Sequence, residues 1–594
     1  MRTPALLSIA LLSLPAAVLA EEAREPDDLE AALGDLILPA QFQRRPGESE
    51  PIPPPEEPPP DPTALALPDP DAFPGDFTPI PDRWRIVEGL GVNERWYDPY
   101  NQNTLKGDRP IIGNDIFLIM TGISDTVIEP RSLPTPVGIQ SGDPGSNDVF
   151  GDPNQFFFSQ TFLASASLVK GDTAFKPQDF ELRLTGAFNY NYTEAGEDRV
   201  LFADPSDGRF RNETFFSLQE GFIDYHIRNV SDRYDFDSIR VGIQPFTADF
   251  RGFLFQDLPL GVRLFGTREN NLWQYNLAWF RMFDKDINSG LNDLSKLSND
   301  SVFVGNLYRQ DFPILGMTSQ ATIVHDRNRD DARNDQNGFP ARPAQAGFNE
   351  LPEYDVTYFG LNFDGRAGLI NLTGSGYFAI GDTNSSLLTG EDANIQAFFL
   401  AAEPSVDFDW GRVRLSALYA SGDDNPRDGT DRGFDAIFEN PLFAGADTSY
   451  WIRQAVPLIG GGFVTLNNRN GVLVPLRHSK ELGQANFVNP GITLLGGGVD
   501  FDLLPELRLS FNANYLRFNN TEVLEELRQQ PDIEKDIGFD LSAATIWRPF
   551  FNQNVVLRLS GAMLLPGQGF DDLYGSSNDA DLFYSVLGNI VLTY

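Results

Sequence analysis

The chain has 594 residues, with 45 Lys and Arg against 84 Asp and Glu, a formal charge of −39, and no cysteine. That charge excludes a general nucleic-acid role, because nothing would neutralise phosphates in bulk. The missing thiols exclude disulfides, thiolate metal sites and a lipidated cysteine anchor.

Residues 1–20 combine a basic start at Arg2, an apolar stretch from Ala5 to Leu14 and the small-residue pattern Val18-Leu19-Ala20 ahead of a run of acids. This order predicts a cleaved secretory signal, with the mature chain starting near Glu21. No later stretch approaches the roughly 18 consecutive apolar residues a membrane helix needs, so the exported chain is either soluble or crosses a membrane with strands. Residues 21–80 hold 15 acids against three arginines and contain Pro-Ile-Pro-Pro-Pro-Glu-Glu-Pro-Pro-Pro-Asp-Pro. Such a segment lacks backbone donors and buries almost nothing, which predicts a disordered, extended periplasmic spacer. A short docking helix over 27–38 would carry Leu29, Leu33, Leu36 and Ile37 on one side. Over 81–110, Trp84, Trp96, Tyr97 and Tyr100 beside Asp98-Pro99 and Lys106-Gly107-Asp108 predict a folded periplasmic collar.

From 111 to 594, apolar residues recur with period two. The predicted strands are 111–123, 157–169, 179–192, 215–228, 237–247, 260–267, 271–284, 301–310, 314–325, 354–365, 368–380, 393–407, 411–421, 490–503, 506–519, 536–547, 553–564 and 582–594. Their connections alternate in length: 124–156, 285–300, 326–353 and 422–489 are long, whereas 170–178, 311–313, 366–367 and 504–505 are short. A soluble sandwich has no reason to alternate so; a bacterial outer-membrane barrel keeps its periplasmic turns short and its external loops long. The predicted fold is all-β, a transmembrane antiparallel barrel of about 18 strands in contact with outer-membrane lipid of a Gram-negative cell.

Sorting each strand by face puts Phe180, Leu182, Leu184, Gly186, Phe188 and Tyr190 toward lipid and Glu181, Arg183, Thr185, Asn189 and Asn191 toward water. The same sorting turns Arg240, Arg263, Arg412, Arg414, Arg508 and Arg558 inward with Arg183, making these seven the predicted pore-lining residues. Inward acids are fewer on this reading: Glu181, with Glu220 and Asp224 if Phe215, Ile223 and Tyr225 face lipid. A lumen this wide cannot be filled by wall side chains alone. Guanidinium groups along it favour anions, unless they pair with lumenal acids and merely stiffen the wall. Trp273, Tyr275, Trp279, Tyr515 and Trp547 fit interfacial girdles.

The stretch Leu418-Tyr-Ala-Ser-Gly-Asp-Asp-Asn-Pro-Arg-Asp-Gly-Thr-Asp431 resembles a strand exit in the alginate-export family of outer-membrane barrels, as do Arg240-Val-Gly-Ile-Gln-Pro-Phe246 and Arg251-Gly-Phe-Leu-Phe255. The resemblance implies an 18-stranded monomer with an arginine-rich channel that passes a polyuronate; the acidic Pro-rich extension departs from that pattern. Asp423, Asp424, Asp428 and Asp431 offer oxygen ligands for a hard cation, but the spacing lacks the closing bidentate Glu of an EF-hand, and a solvated acidic loop is the preferred reading. Three His, His226, His325 and His478, and no Gly-x-Ser-x-Gly elbow leave no catalytic constellation, so neither an enzyme nor a cofactor is expected. Finally, Leu582, Tyr584, Val586, Gly588, Ile590, Leu592 and Tyr594 form one face of a last strand with a terminal aromatic. It resembles the C-terminal signature by which outer-membrane barrels address their assembly machinery. The leading expectation is a channel for anionic solutes or an anionic polysaccharide; the alternative is a surface-interaction or structural barrel with a plugged lumen.

Overall fold

The computed structural model describes residues 89–594 apart from 92, 101–102, 147, 172–176, 233–234, 349, 462–463, 478–483, 551–552 and 576–581. The expected signal, spacer and docking helix lie outside the described residues. A lead-in strand, β1 (Lys106–Ile112), comes first. The wall follows with β2 (Ile116–Ser132), β3 (Asn154–Lys170), β4 (Phe180–Ala195), β5 (Phe210–Asn229), β6 (Phe236–Ile243) and β7 (Leu260–Arg268). It continues through β8 (Trp273–Lys285), β9 (Asn292–Arg309), β10 (Met317–Asn328), β11 (Tyr354–Ala367), β12 (Ile370–Thr383) and β13 (Ala393–Phe408). It ends with β14 (Gly411–Ala420), β15 (Ile492–Leu504), β16 (Leu507–Phe518), β17 (Asp536–Trp547), β18 (Val555–Pro566) and β19 (Phe583–Thr593). Strands β2 to β19 form a closed antiparallel barrel of 18 strands. Closure runs from Ile123↔Thr593 to Arg131↔Ser585, which leaves no open edge.

Each expected strand overlaps one of these. Two boundaries differ most: β2 runs on to Ser132 and β9 starts at Asn292, so the expected connections 124–156 and 285–300 shrink to 133–153 and 286–291, and the latter is no longer than 230–235 at the opposite rim. Both extensions, Ser124 to Ser132 and Asn292 to Asp300, are polar stretches in which apolar alternation is weak. The two rims still differ, with 133–153, 196–209, 244–259, 329–353 and 421–491 at one and 230–235, 269–272, 368–369, 409–410 and 505–506 at the other.

Alternation decides the faces as expected. In β4, Leu184, Phe188 and Tyr190 are exposed outside while Glu181, Thr185, Asn189 and Asn191 are buried inside. One expectation fails. A register shift opposite Thr185 and Gly186 inserts an extra residue between Leu218 and Glu220 of β5, and an inserted residue reverses parity. Glu220 and Asp224 face the lumen, but Phe215 turns inward opposite Asn189 instead of outward.

Of the expected collar, residues 81–88 with Trp84 lie outside the described residues; those nearest the barrel extend the wall beside the closing pair. Strand β1 pairs with β2 from Lys106↔Ile119 to Ile112↔Ile116, taking the stretch of β2 that lies beyond the end of β19. Asn103, fully buried, donates to the Trp96 carbonyl at 2.7 Å and to the Tyr594 hydroxyl at 2.8 Å, and that hydroxyl donates in turn to the Trp96 carbonyl.

The lumen is not empty. Segments 244–259 and 421–491 fold into it and build an apolar core from Phe253, Phe255, Trp451, Leu458, Leu473 and Phe487, packed on wall residues such as Phe280, Tyr358 and Phe399. Irregular backbone can be buried only if its polar groups are paired, and short side chains do this here. The Asp249 carboxylate accepts the backbone N–H groups of Arg251, Gly252, Phe253 and Leu254 and the Tyr377 hydroxyl at 2.6–3.2 Å. Asn467 accepts from the Val456 N–H at 2.8 Å, and Asn486 accepts from the Val488 N–H at 3.1 Å. From the wall, Asp540 accepts the N–H groups of Tyr450 and Trp451, which pins the start of a helical turn, Tyr450–Arg453, to β17. The apolar core is eccentric, with no core residue between Phe150 and Phe246; the inner faces of β3 to β6 are mostly polar and closely covered, with Asn189, Asn191, Ser217 and Phe222 buried.

A guanidinium-lined vestibule as the candidate functional site

All seven predicted arginines face the lumen, and most meet an acid there. Arg183 lies 2.8 Å from Glu181 and Arg240 2.7 Å from Asp224, with the Arg240 guanidinium 4.3 Å above the Phe222 ring. Arg414 reaches Asp500 at 2.6 Å, Arg508 reaches Asp502 at 2.6 Å and Arg558 reaches Asp447 of the plug at 2.9 Å. Arg412 pairs with Asp407. Arg263 instead forms no ion pair among the described residues; it donates to the Asn276 amide oxygen at 2.7 Å and stacks over Phe265 at 4.6 Å. The expected excess of inward arginine over inward acid therefore fails. Asp407, Asp500 and Asp502 alternate with the apolar Val406, Phe408, Val499, Phe501 and Leu503, and Glu403 continues the inward face of Ala397, Phe399 and Ala401, so parity already turned these acids inward and the expectation undercounted them.

Below the plug, at the short-turn end, Arg412, Arg414 and Arg508 border a cavity of about 790 Å³. Its wall mixes Arg251, Arg366, Arg412, Arg414 and Arg508 with Asp249, Asp364, Glu403, Asp407, Asp447 and Asp500. Charge of both signs at such close quarters holds no net preference for either ion.

The opposite end differs in kind. Between connections 133–153, 196–209 and the plug lies a cavity of about 230 Å³ whose lining includes Arg131, Arg199, Arg211 and Arg469 and, among the described residues, no acid. Arg131 ends β2; it donates to the Gln155 and Gln454 amide oxygens at 3.1 and 3.0 Å and lies over the Phe157 ring at 5.6 Å. Its nearest acid, the buried Glu129, is 4.0 Å away and is shared with Arg453 at 3.5 Å. Arg211, near the start of β5, donates to the Thr193 hydroxyl at 3.4 Å, and its buried Nε finds no hydrogen-bond acceptor. Arg199 and Arg469, from two different connections, make no ion pair or hydrogen bond among the described residues. Leu201, Ile287, Phe339, Ile459 and Val464 supply apolar wall. Arg211 has Glu213, Asp286 and Asp335 nearby and Arg131 has Glu129, which leaves Arg199 and Arg469 as the two unpaired guanidinium groups; against an apolar, partly desolvated surface such groups attract anions more strongly than in open water.

None of these four arginines was singled out from the sequence. Arg131 fell within the stretch read as a loop, Arg211 just outside the predicted limits of β5, and Arg199 and Arg469 in connections that carry no periodicity. The one available signal was local: Glu129 and Arg131 share one face of an extended strand, as do Arg211 and Glu213. Among the described residues no three acidic or histidine side chains converge on a point able to hold a metal ion. Asp423 and Asp431 are buried while Asp424 and Asp428 are not.

No protein-family model matches this sequence, and no curated protein does. Among solved structures, the chain is similar to Pseudomonas aeruginosa OccK9 (OpdG), with 14% identity and a TM-score of 0.44 over 81% of this chain and 98% of that one. It is similar also to Acinetobacter baumannii OccAB4, with 11% identity and a TM-score of 0.40 over 81% and 98%. A BenF-like porin from Pseudomonas fluorescens Pf-5 gives 10% identity and a TM-score of 0.43 over 80% and 98%.

Proposed function

We propose that this protein is an outer-membrane channel for small anionic solutes in a Gram-negative cell, with its long-connection rim outside and its selectivity set at the vestibule. The closed barrel and its apolar outer face suit a bilayer. One observation carries the functional part: the vestibule arginines face a cavity without an acid, and Arg199 and Arg469 meet none, whereas most arginines elsewhere in the lumen are matched by acids. An ion meets the vestibule first, so the electrostatic filter stands at the entrance. The balanced lower cavity lets an anion leave without trapping it. A small solute fits better than a polysaccharide, because the plug divides the lumen and a polymer needs one continuous groove. The plug also favours a channel over a wide, unselective pore. The purified full-length protein in planar bilayers, under a potassium chloride gradient, should give steady conductance with a reversal potential on the anion side. Absence of steady current would return the reading to a plugged scaffold, and cation preference would refute the anion filter.

A further inference from the structure

Arg199 carries its charge on an improbable backbone. Its φ is +66°, in the left-handed region that side-chain-bearing residues rarely adopt, so something adjacent must hold it there. Two residues earlier stands Glu197, 1% exposed although it is an acid in an external connection. Its Oε2 accepts the Ser141 N–H at 2.7 Å, the Gly142 N–H at 2.8 Å and the Ser141 hydroxyl at 2.8 Å, while Oε1 accepts the Asp152 N–H at 3.0 Å. The Ser141 hydroxyl oxygen also accepts the Asp198 N–H at 2.8 Å, so connection 133–153 grips the residue immediately before Arg199. The slot is shaped for this carboxylate, since a Cβ at Gly142 or Gly151 would overlap the Glu197 side chain. Both tied segments then run into the vestibule, as Leu133 to Pro136 on one side and Arg199 to Leu201 on the other.

We infer that Glu197 is a positioning residue for anion selectivity: it clamps connection 196–209 to 133–153 and thereby presents the Arg199 guanidinium to the vestibule. This deepens the anion-channel reading and rests on it. Burial opposes ionisation of Glu197, but the N–H groups of Asp152, Gly142 and Ser141 and the Ser141 hydroxyl outweigh it and hold the carboxyl below its ordinary range. The clamp is therefore charged at neutral pH.

The position of Glu197 reverses the sign that simple electrostatics expects. Removing an acid near a channel mouth should raise anion preference; removing this clamp should lower it. In planar bilayers, Glu197→Gln should reduce the anion-to-cation permeability ratio by about the factor that Arg199→Gln does, and in an Arg199→Gln background it should add no further reduction. A ratio that rises or stays level in Glu197→Gln overturns the inference, as does a full further fall in the double variant. If Glu197→Gln does not assemble, Ser141→Ala serves, because it keeps the acid and cuts the link to Asp198; it should lower the ratio, and an unchanged ratio overturns the inference. Wild-type protein without anion preference would instead defeat the channel reading itself, so the two failures are distinguishable.

Discussion

Removing the two unpartnered vestibule charges, Arg199→Gln with Arg469→Gln, tests the filter most directly. A cavity of about 230 Å³ taken as a sphere has a radius of roughly 4 Å, which puts an ion at its centre about 5 Å from a lining guanidinium. At that separation one unit charge is worth about 0.8 kcal/mol in water, and screening over a length of about 8 Å reduces it to about 0.4 kcal/mol. The same charge that attracts an anion repels a cation, so discrimination is twice this, about 0.8 kcal/mol, or roughly fourfold in permeability ratio for each arginine. The double variant should then lose on the order of tenfold in the anion-to-cation ratio. Reversal potentials in a salt gradient read this directly, and raising the ionic strength should shrink the difference between wild type and variant. Neither side chain holds the fold through an ion pair or hydrogen bond among the described residues, so barrel assembly should be normal. An unchanged ratio in a folded double variant would mean that ions bypass the vestibule, and the reasoning from its charge would fall.

The lower cavity and the plug give further expectations. Arg414→Gln strands Asp500, a largely buried partner at 2.6 Å, and should destabilise the barrel by about 2–3 kcal/mol in thermal or denaturant unfolding, with Asp500→Asn added recovering most of the loss. Equal stability of the single and double variants would show the pair to be solvent-relaxed. In the plug, burial raises Asp423 to about 6, and burial with the charges of Asp423 and Asp428 raises Asp431 to about 7, against the lowering influence of Asn425, Arg432 and Ser386. An acid with a raised folded pKa binds protons that the unfolded chain does not, so stability should grow as pH falls from above 7 toward 4. Amide exchange over 421–433, corrected for intrinsic rates, should slow from pH 8 to pH 5 by this linkage. The Asp423→Asn, Asp431→Asn variant should show no such trend, and a trend that persists there would place the titration elsewhere.

The wall was legible in the sequence because each strand obeys one rule, apolar side chains on alternate residues. Even β13, whose Phe398, Phe399 and Leu400 are apolar on both faces, shows its limits through flanking polar residues. Where the rule weakened, the reading did too: Asn292 to Asp300 has no apolar stripe, and the extra residue near Gln219 flips Phe215 without changing composition. The plug was not legible. Trp451, Val456 and Leu473 recur with no period, and their backbone is satisfied residue by residue through Asn467 and Asn486, which in sequence are indistinguishable from loop asparagines. The vestibule failed for another reason. Arg131, Arg199, Arg211 and Arg469 come from four separate segments, and only barrel closure with the plug in place brings them around one cavity.

Segment 421–491 occupies the place of a surface loop in the connectivity but has the packing of a domain interior. Insertions, tags and drifting substitutions that an exterior loop normally absorbs would here meet Trp451, Val456 or Phe487 inside a packed core. Such a barrel has little freedom to diversify its largest connection; variation is left to the shorter rim segments, among them 196–209, where the clamp on Arg199 limits that freedom as well.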